Sequence, residues 1–149
     1  MKNLNKLIAG ILIILIFFGV IGILVFLKNG GGLNTGNTKI INTSQGSITV
    51  KDYTQNPVAT TTDAIIIEQN SQFQILNYKV DNSFLITLLA EPIKKARIDA
   101  ENAFIKDLNI SQNQACALKV SVGVPNAVNS NYSGQELGMD FCPNAVALP

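Results

Sequence analysis

FQILNYKVDNSFLITLLAEPIKKARIDAENAFIKDL, residues 73–108, decides the fold. Two apolar runs, 73–80 and 84–90, are joined by Asp81-Asn82-Ser83. Asp and Asn tolerate the left-handed backbone of tight turns, so the two runs predict a β-hairpin. Pro92 follows, suited to a first helical position. From there Ile93, Ala96, Ala100, Ala103, Phe104 and Leu108 recur at spacings of three, four and seven, which is one face of an amphipathic helix. Lys95, Asp99, Asn102 and Lys106 form its wet face, and Asn109 is the expected left-handed C-cap.

Working outward, residues 47–53 (SITVKDY) and 64–68 (AIIIE) read as strands on either side of a polar loop, 54–63. Beyond the helix, Ser111-Gln112-Asn113-Gln114 fits a capping box for one short turn. Residues 116–124 (CALKVSVGV) alternate and predict a strand that Pro125 ends. A polar loop covers 126–133, and a last short strand is expected at 136–141, with Leu137, Met139 and Phe141 on one side. Strands, hairpin, helix, then strands is the order of an α+β domain, with one main helix on an antiparallel sheet.

The N-terminal part is of another kind. Residues 7–27, LIAGILIILIFFGVIGILVFL, carry no charge, Pro, Asn or Gln. As a helix they would reach about 30 Å, the thickness of a bilayer's hydrocarbon core. Lys2, Lys6 and the α-amino group precede them and Lys28 alone follows closely, so the positive-inside rule puts residues 1–6 in the cytoplasm and the domain outside. The apolar run is too long for a cleaved signal peptide and no A-x-A site follows it, which favours an uncleaved signal anchor. Residues 28–46, rich in Gly and Asn, read as a flexible tether. The expected organisation is therefore tail 1–6, transmembrane anchor 7–27, tether 28–46 and extracytoplasmic domain 47–149.

The run RIDAENAFIKDLNIS at 97–111, the Cys four residues after Gln112, VGVP at 122–125 and FCP at 141–143 resemble uncharacterised single-pass membrane proteins of small-genome bacteria. The abundance of Ile and Asn beside a single Arg is also what an AT-rich bacterial genome produces. The resemblance implies membrane placement and carries no activity, substrate or site residue.

All ten acidic residues lie from Asp52 onward, against eight basic ones from Lys39 onward. The domain thus lacks the basic patch that phosphate backbones require, and nucleic acid is not an expected partner. Cys116 and Cys142 are the only cysteines, and the chain has no His. Outside the cytoplasm two cysteines in a small domain pair, whereas zinc would need further ligands and a Cys nucleophile a base, so a structural disulfide is expected. Arg97 and Glu101 stand four apart near the edge of the helix's buried face. An ordinary helical ion pair, worth a few tenths of a kcal/mol if exposed, is expected there rather than a binding or catalytic pair. NSNYSGQELGMD, 129–140, mimics a calcium loop, yet Asn opens it and no bidentate Glu closes it, so it reads as a polar surface loop. No phosphate-binding or nucleophile motif occurs, and no cofactor or catalytic residue is expected. The function expected is binding or assembly at the envelope, with the lipid bilayer and an envelope protein as partners. A small carboxylate-dependent hydrolase and a purely structural spacer are the alternatives.

Overall fold

The computed structural model describes residues 37–148. The transmembrane span expected at 7–27 lies outside them, and among the described residues no helix is long and apolar enough to cross a membrane. Among the described residues seven strands and two helices follow in order: β1 (Thr38–Thr43), β2 (Gly46–Lys51), β3 (Ala59–Thr60), β4 (Ala64–Gln69), β5 (Phe73–Tyr78), β6 (Phe84–Leu88), α1 (Ile93–Leu108), α2 (Gln112–Ala117) and β7 (Val120–Gly123). The domain is α+β with one main helix.

The quoted stretch forms the centre. β5 and β6 pair as an antiparallel hairpin, with Asn82 at a φ of +53° in its turn. Phe73, Ile75, Phe84, Ile86 and Leu88 are buried on one face of the sheet, and α1 lays Ile93, Ala96, Ala100, Phe104 and Leu108 on that face. Phe104 meets Phe84 edge to face at 5.2 Å between ring centroids, and Phe84 meets Tyr53 likewise at 5.7 Å. Asn109 ends α1 in the left-handed conformation at a φ of 52°. Pro92 stands one position earlier than expected, at the N-cap, and the Glu91 carboxylate accepts from the Ile93 N–H.

The five-stranded sheet has the order β3-β4-β5-β6-β7 and is mixed rather than antiparallel throughout. β7 returns after α1 and α2 and runs parallel to β6, with Ile86 opposite Val122. A helical crossover is what brings a strand back in the same direction.

Three further expectations are corrected. Residues 28–46 are not all tether, because β1 pairs with β2 in a separate two-stranded sheet, Ile41 opposite Ile48 and both buried. The turn between them depends on Gly46 at a φ of +122°, where a side chain would be strained. The strand expected at 116–124 is only its second half. Ser111 accepts from the Gln114 N–H and the Gln114 side chain accepts from the Ser111 N–H, and this capping box starts a helix that runs through Cys116 to Ala117. Residues 136–141 are not a strand. Leu137 and Met139 are buried in alternation, but Gly138 at a φ of +63° breaks the extended backbone and Arg97 takes the carbonyls of Leu137 and Gly138.

This segment still covers the outer edge of β7. The Val122 carbonyl accepts from the Leu137 N–H, and the Val122 N–H donates to the Glu136 carboxylate at 2.7 Å. The neighbouring Val124 bridges to Ser133.

Candidate functional site

Arg97 and Glu101 share one face of α1 with Ala96 and Ala100, and the face is buried. Arg97 is 1% exposed and Glu101 4%, so the ion pair expected from spacing is present and lies buried. Arg97 Nε donates to Glu101 Oε1 at 2.9 Å. Its Nη2 donates to the carbonyls of Leu137 at 3.0 Å and Gly138 at 2.7 Å, and its Nη1 to that of Val146 at 2.7 Å. Glu101 Oε1 also accepts the Asp140 N–H at 2.7 Å. Burial raises the Glu101 carboxyl above the usual Glu value, against the opposing pull of the Asp140 N–H and Arg97. The guanidinium's hydrogen bonds all go to the protein's own groups, one to the Glu101 carboxylate and three to backbone carbonyls. The arrangement is a latch that holds the irregular segment 137–146 on α1, with no donor aimed outward at a substrate.

Cys116 and Cys142 are joined by a disulfide, with Cα atoms 5.6 Å apart. Neither lies in a strand: Cys116 is in the last turn of α2, and the Cys142 N–H donates to the Met139 carbonyl in a turn. The bond therefore bridges beyond regular strand pairing. It lies beside a cleft of about 460 Å³. Three segments wall that cleft: the β1–β2 turn with Asn42, Thr43, Ser44 and Gln45, the β5–β6 turn with Asp81 and Asn82, and residues 116–119. Lys119 and Asp81 form an ion pair across it, and Lys119 with Ser83 holds the Asp81 carboxyl well below the usual carboxylate range. The lining is polar and compensated in charge, with no nucleophile beside a base.

One carboxylate pair escaped the sequence reading. Glu68 follows the bulge in β4 and meets Asp107 in the last turn of α1, 39 residues away in the chain and thus invisible to spacing. Partial burial, then hydrogen bonding with Asp107 and its charge, raise the Glu68 carboxyl above the ordinary Glu value. Asp107 also lines a recess of only about 100 Å³ with Lys51, Asp52 and Tyr53. The residues of the calcium-like loop do not converge: Asn129 donates to Glu91, Glu136 accepts from Val122 and Gly138, and Asp140 stands 3.6 Å from Arg97. Among the described residues no three His, Cys, Asp or Glu side chains gather into a metal-binding group.

Comparison with known proteins finds no matching family model, no matching curated protein and no matching solved structure.

Proposed function

We propose that the chain is a membrane-anchored, extracytoplasmic domain that binds a partner at the cell envelope. The observation that carries the binding reading is the cleft of about 460 Å³ between the β1–β2 turn, the β5–β6 turn and residues 116–119. Its volume falls in the range of ligand sites, about 300–1,000 Å³. Neutral amides and hydroxyls from Asn42, Thr43, Ser44, Gln45 and Asn82 suit a polar ligand without net charge. The Cys116–Cys142 disulfide supports a compartment outside the cytoplasm, since such bonds persist in oxidising surroundings. The uninterrupted apolar run 7–27 supports the anchor.

The test is site-specific photo-crosslinking in native membranes, with the reactive residue at Gln45 or Asn82 and a control at Lys95 on the wet face of α1. A shared adduct from both cleft positions, absent from Lys95, is expected. Adducts that do not differ between cleft and control would refute the cleft as the binding surface. Protease added to spheroplasts should digest residues 37–148, and a protected domain would refute the orientation.

A carboxylate-dependent hydrolase is the second reading, favoured by the raised Glu68 beside Asp107. The recess there, about 100 Å³, is small for a substrate, which is why binding is preferred.

A further inference from the structure

We propose that the outer edge of β7 holds a slot for the free C-terminus of an extended peptide ending in an apolar residue, and that the Glu136 side chain fills this slot from within. The inference is separate from the cleft and does not use membrane placement. Two backbone N–H groups converge there on one oxygen: Val122 donates to Glu136 Oε1 at 2.7 Å and Gly138 at 3.1 Å. Paired N–H groups of this kind are how a backbone captures a carboxylate. The peptide group that supplies the Gly138 N–H also carries the Leu137 carbonyl, which accepts from Arg97 Nη2 at 3.0 Å. The buried guanidinium thus holds and polarises the second donor of the slot. Glu136 is exposed, so its side chain can turn out to water and leave both donors aimed at the same point.

Beside the slot lies a recess of about 200 Å³, lined by Leu118, Val120, Met139, Ala145 and the Cys116–Cys142 disulfide as well as by Glu136 and Gly138. A whole ligand takes about 300–1,000 Å³, so this recess is sized for one side chain, and its aliphatic and sulfur walls suit an apolar one. The strand itself selects a peptide. β7 runs parallel to β6, so the backbone groups of Ser121 face β6 and those of Val120 and Val122 face the outer edge. The Val122 groups are taken by Glu136 and Leu137, whereas the Val120 N–H and carbonyl have no hydrogen-bond partner among the described residues. A residue laid beside Ser121, parallel to β7, would donate its N–H to the Val120 carbonyl. Its carboxylate would then meet the Val122 N–H, where Glu136 Oε1 sits. The residue two positions earlier would offer its carbonyl to the Val120 N–H. The added chain has to end at the slot, because the Val122 carbonyl, the next acceptor along the edge, already accepts from Leu137.

Glu136 has to leave before a peptide enters, so apparent affinity is lowered by the fraction of molecules in which the slot is open. Removing the Glu136 carboxylate should therefore tighten binding. A residue that merely contacts the ligand, or merely supports the edge, would have the opposite effect when removed.

The experiment follows the amide NMR signals of the full chain in mild detergent during addition of three probes. These are acetyl-Ala-Ala-Leu with a free carboxylate, the same peptide with a C-terminal amide, and 4-methylpentanoate. The acid peptide should shift Val122 and Gly138 but not Ser44 in the cleft, with a dissociation constant of about 1 mM. The amide, which lacks the carboxylate, and 4-methylpentanoate, which lacks the backbone, should each bind about tenfold or more weakly. Glu136→Ala should tighten binding of the acid peptide by about tenfold or more. A dispersed amide spectrum reports that this variant folds, and Glu136→Gln, which keeps an acceptor without the charge, replaces it if it does not. The proposal is overturned if Val122 and Gly138 fail to shift in both the wild type and the Glu136 variant, if acid and amide peptides bind alike, or if the folded variant binds no tighter. Binding of 4-methylpentanoate as tight as that of the acid peptide would overturn the peptide as ligand.

Discussion

Arg97→Met removes a guanidinium that is 1% exposed, keeping most of its apolar stem. Two losses follow. Glu101, itself buried, is left without its charge partner, and breaking a buried pair on one side costs about 3–5 kcal/mol. The Leu137 carbonyl keeps its bond from the Val146 N–H, but the three guanidinium bonds to the carbonyls of Leu137, Gly138 and Val146 are lost, which adds about 1–3 kcal/mol. The sum is a large part of the roughly 5–15 kcal/mol expected for a whole domain. The double variant Arg97→Met/Glu101→Leu separates two readings. Replacing both members of a plain buried pair by apolar residues is often neutral. In a latch, the Asp140 N–H loses its acceptor and segment 137–146 loses its bonds to the guanidinium, so the double variant remains about 1–3 kcal/mol below wild type. Urea unfolding of the full chain in mild detergent gives the energies, and amide hydrogen exchange locates them. Residues 136–148 should lose protection first. A single variant within about 1 kcal/mol of wild type, or loss of protection spread evenly over residues 37–148, would refute the latch.

Phe104→Ala should cost about 3–5 kcal/mol, because Phe104 is fully buried against Phe84, whereas Lys95→Ala on the wet face should cost under about 0.5; similar unfolding midpoints for the two would refute the helix orientation. Reduction of Cys116–Cys142 reopens a loop of 26 residues and should cost about 3 kcal/mol. Because Arg97 and the Val146 N–H to Leu137 carbonyl bond hold both flanks, the extra exchange should stay within residues 139–145. Asp107→Asn should lower the Glu68 carboxyl toward the ordinary value of 4.5, though not fully, since burial is the larger cause. A carboxyl raised on folding binds its proton more tightly in the native state, so its contribution weakens stability as pH rises from about 4.5 through the raised value. The variant should flatten that fall, and carboxyl titration by NMR with unfolding at several pH values checks both.

The hairpin, the helix and the disulfide were legible because their signals are local or compositional. Period and turn chemistry place β5, β6 and α1, and two cysteines without other partners leave one pairing. β1 was hidden because Thr38–Thr43 holds only Ile40 and Ile41 among polar residues, and its burial comes from pairing across the turn at Gly46. At 116–124 two signals overlapped, an alternation and a capping box, and the box won the first half. Arg97 and Glu101 read as an ordinary helical ion pair near the edge of the buried face, because spacing shows only the partner on the same helix. What buries them is the segment 137–146, about 40 residues later, whose free carbonyls no periodicity announces. The pairing of Glu68 with Asp107 was illegible for the same reason.

The edge of β7 has a consequence for the order of events during synthesis. β7 can pair with β6 in any chain that extends to residue 123, but the groups that occupy its far side, the Glu136 carboxylate and the Leu137 N–H, come 13 or more positions later. Until they arrive, a nascent chain presents the bare edge of a nearly complete sheet, the kind of edge that other chains extend. The closing element is a side chain and a single N–H rather than a strand, so it can dock without first acquiring a register. The C-terminal segment thus acts as a late seal, and a chain stopped before residue 136 would be more adhesive than either the finished domain or a shorter fragment that lacks β7.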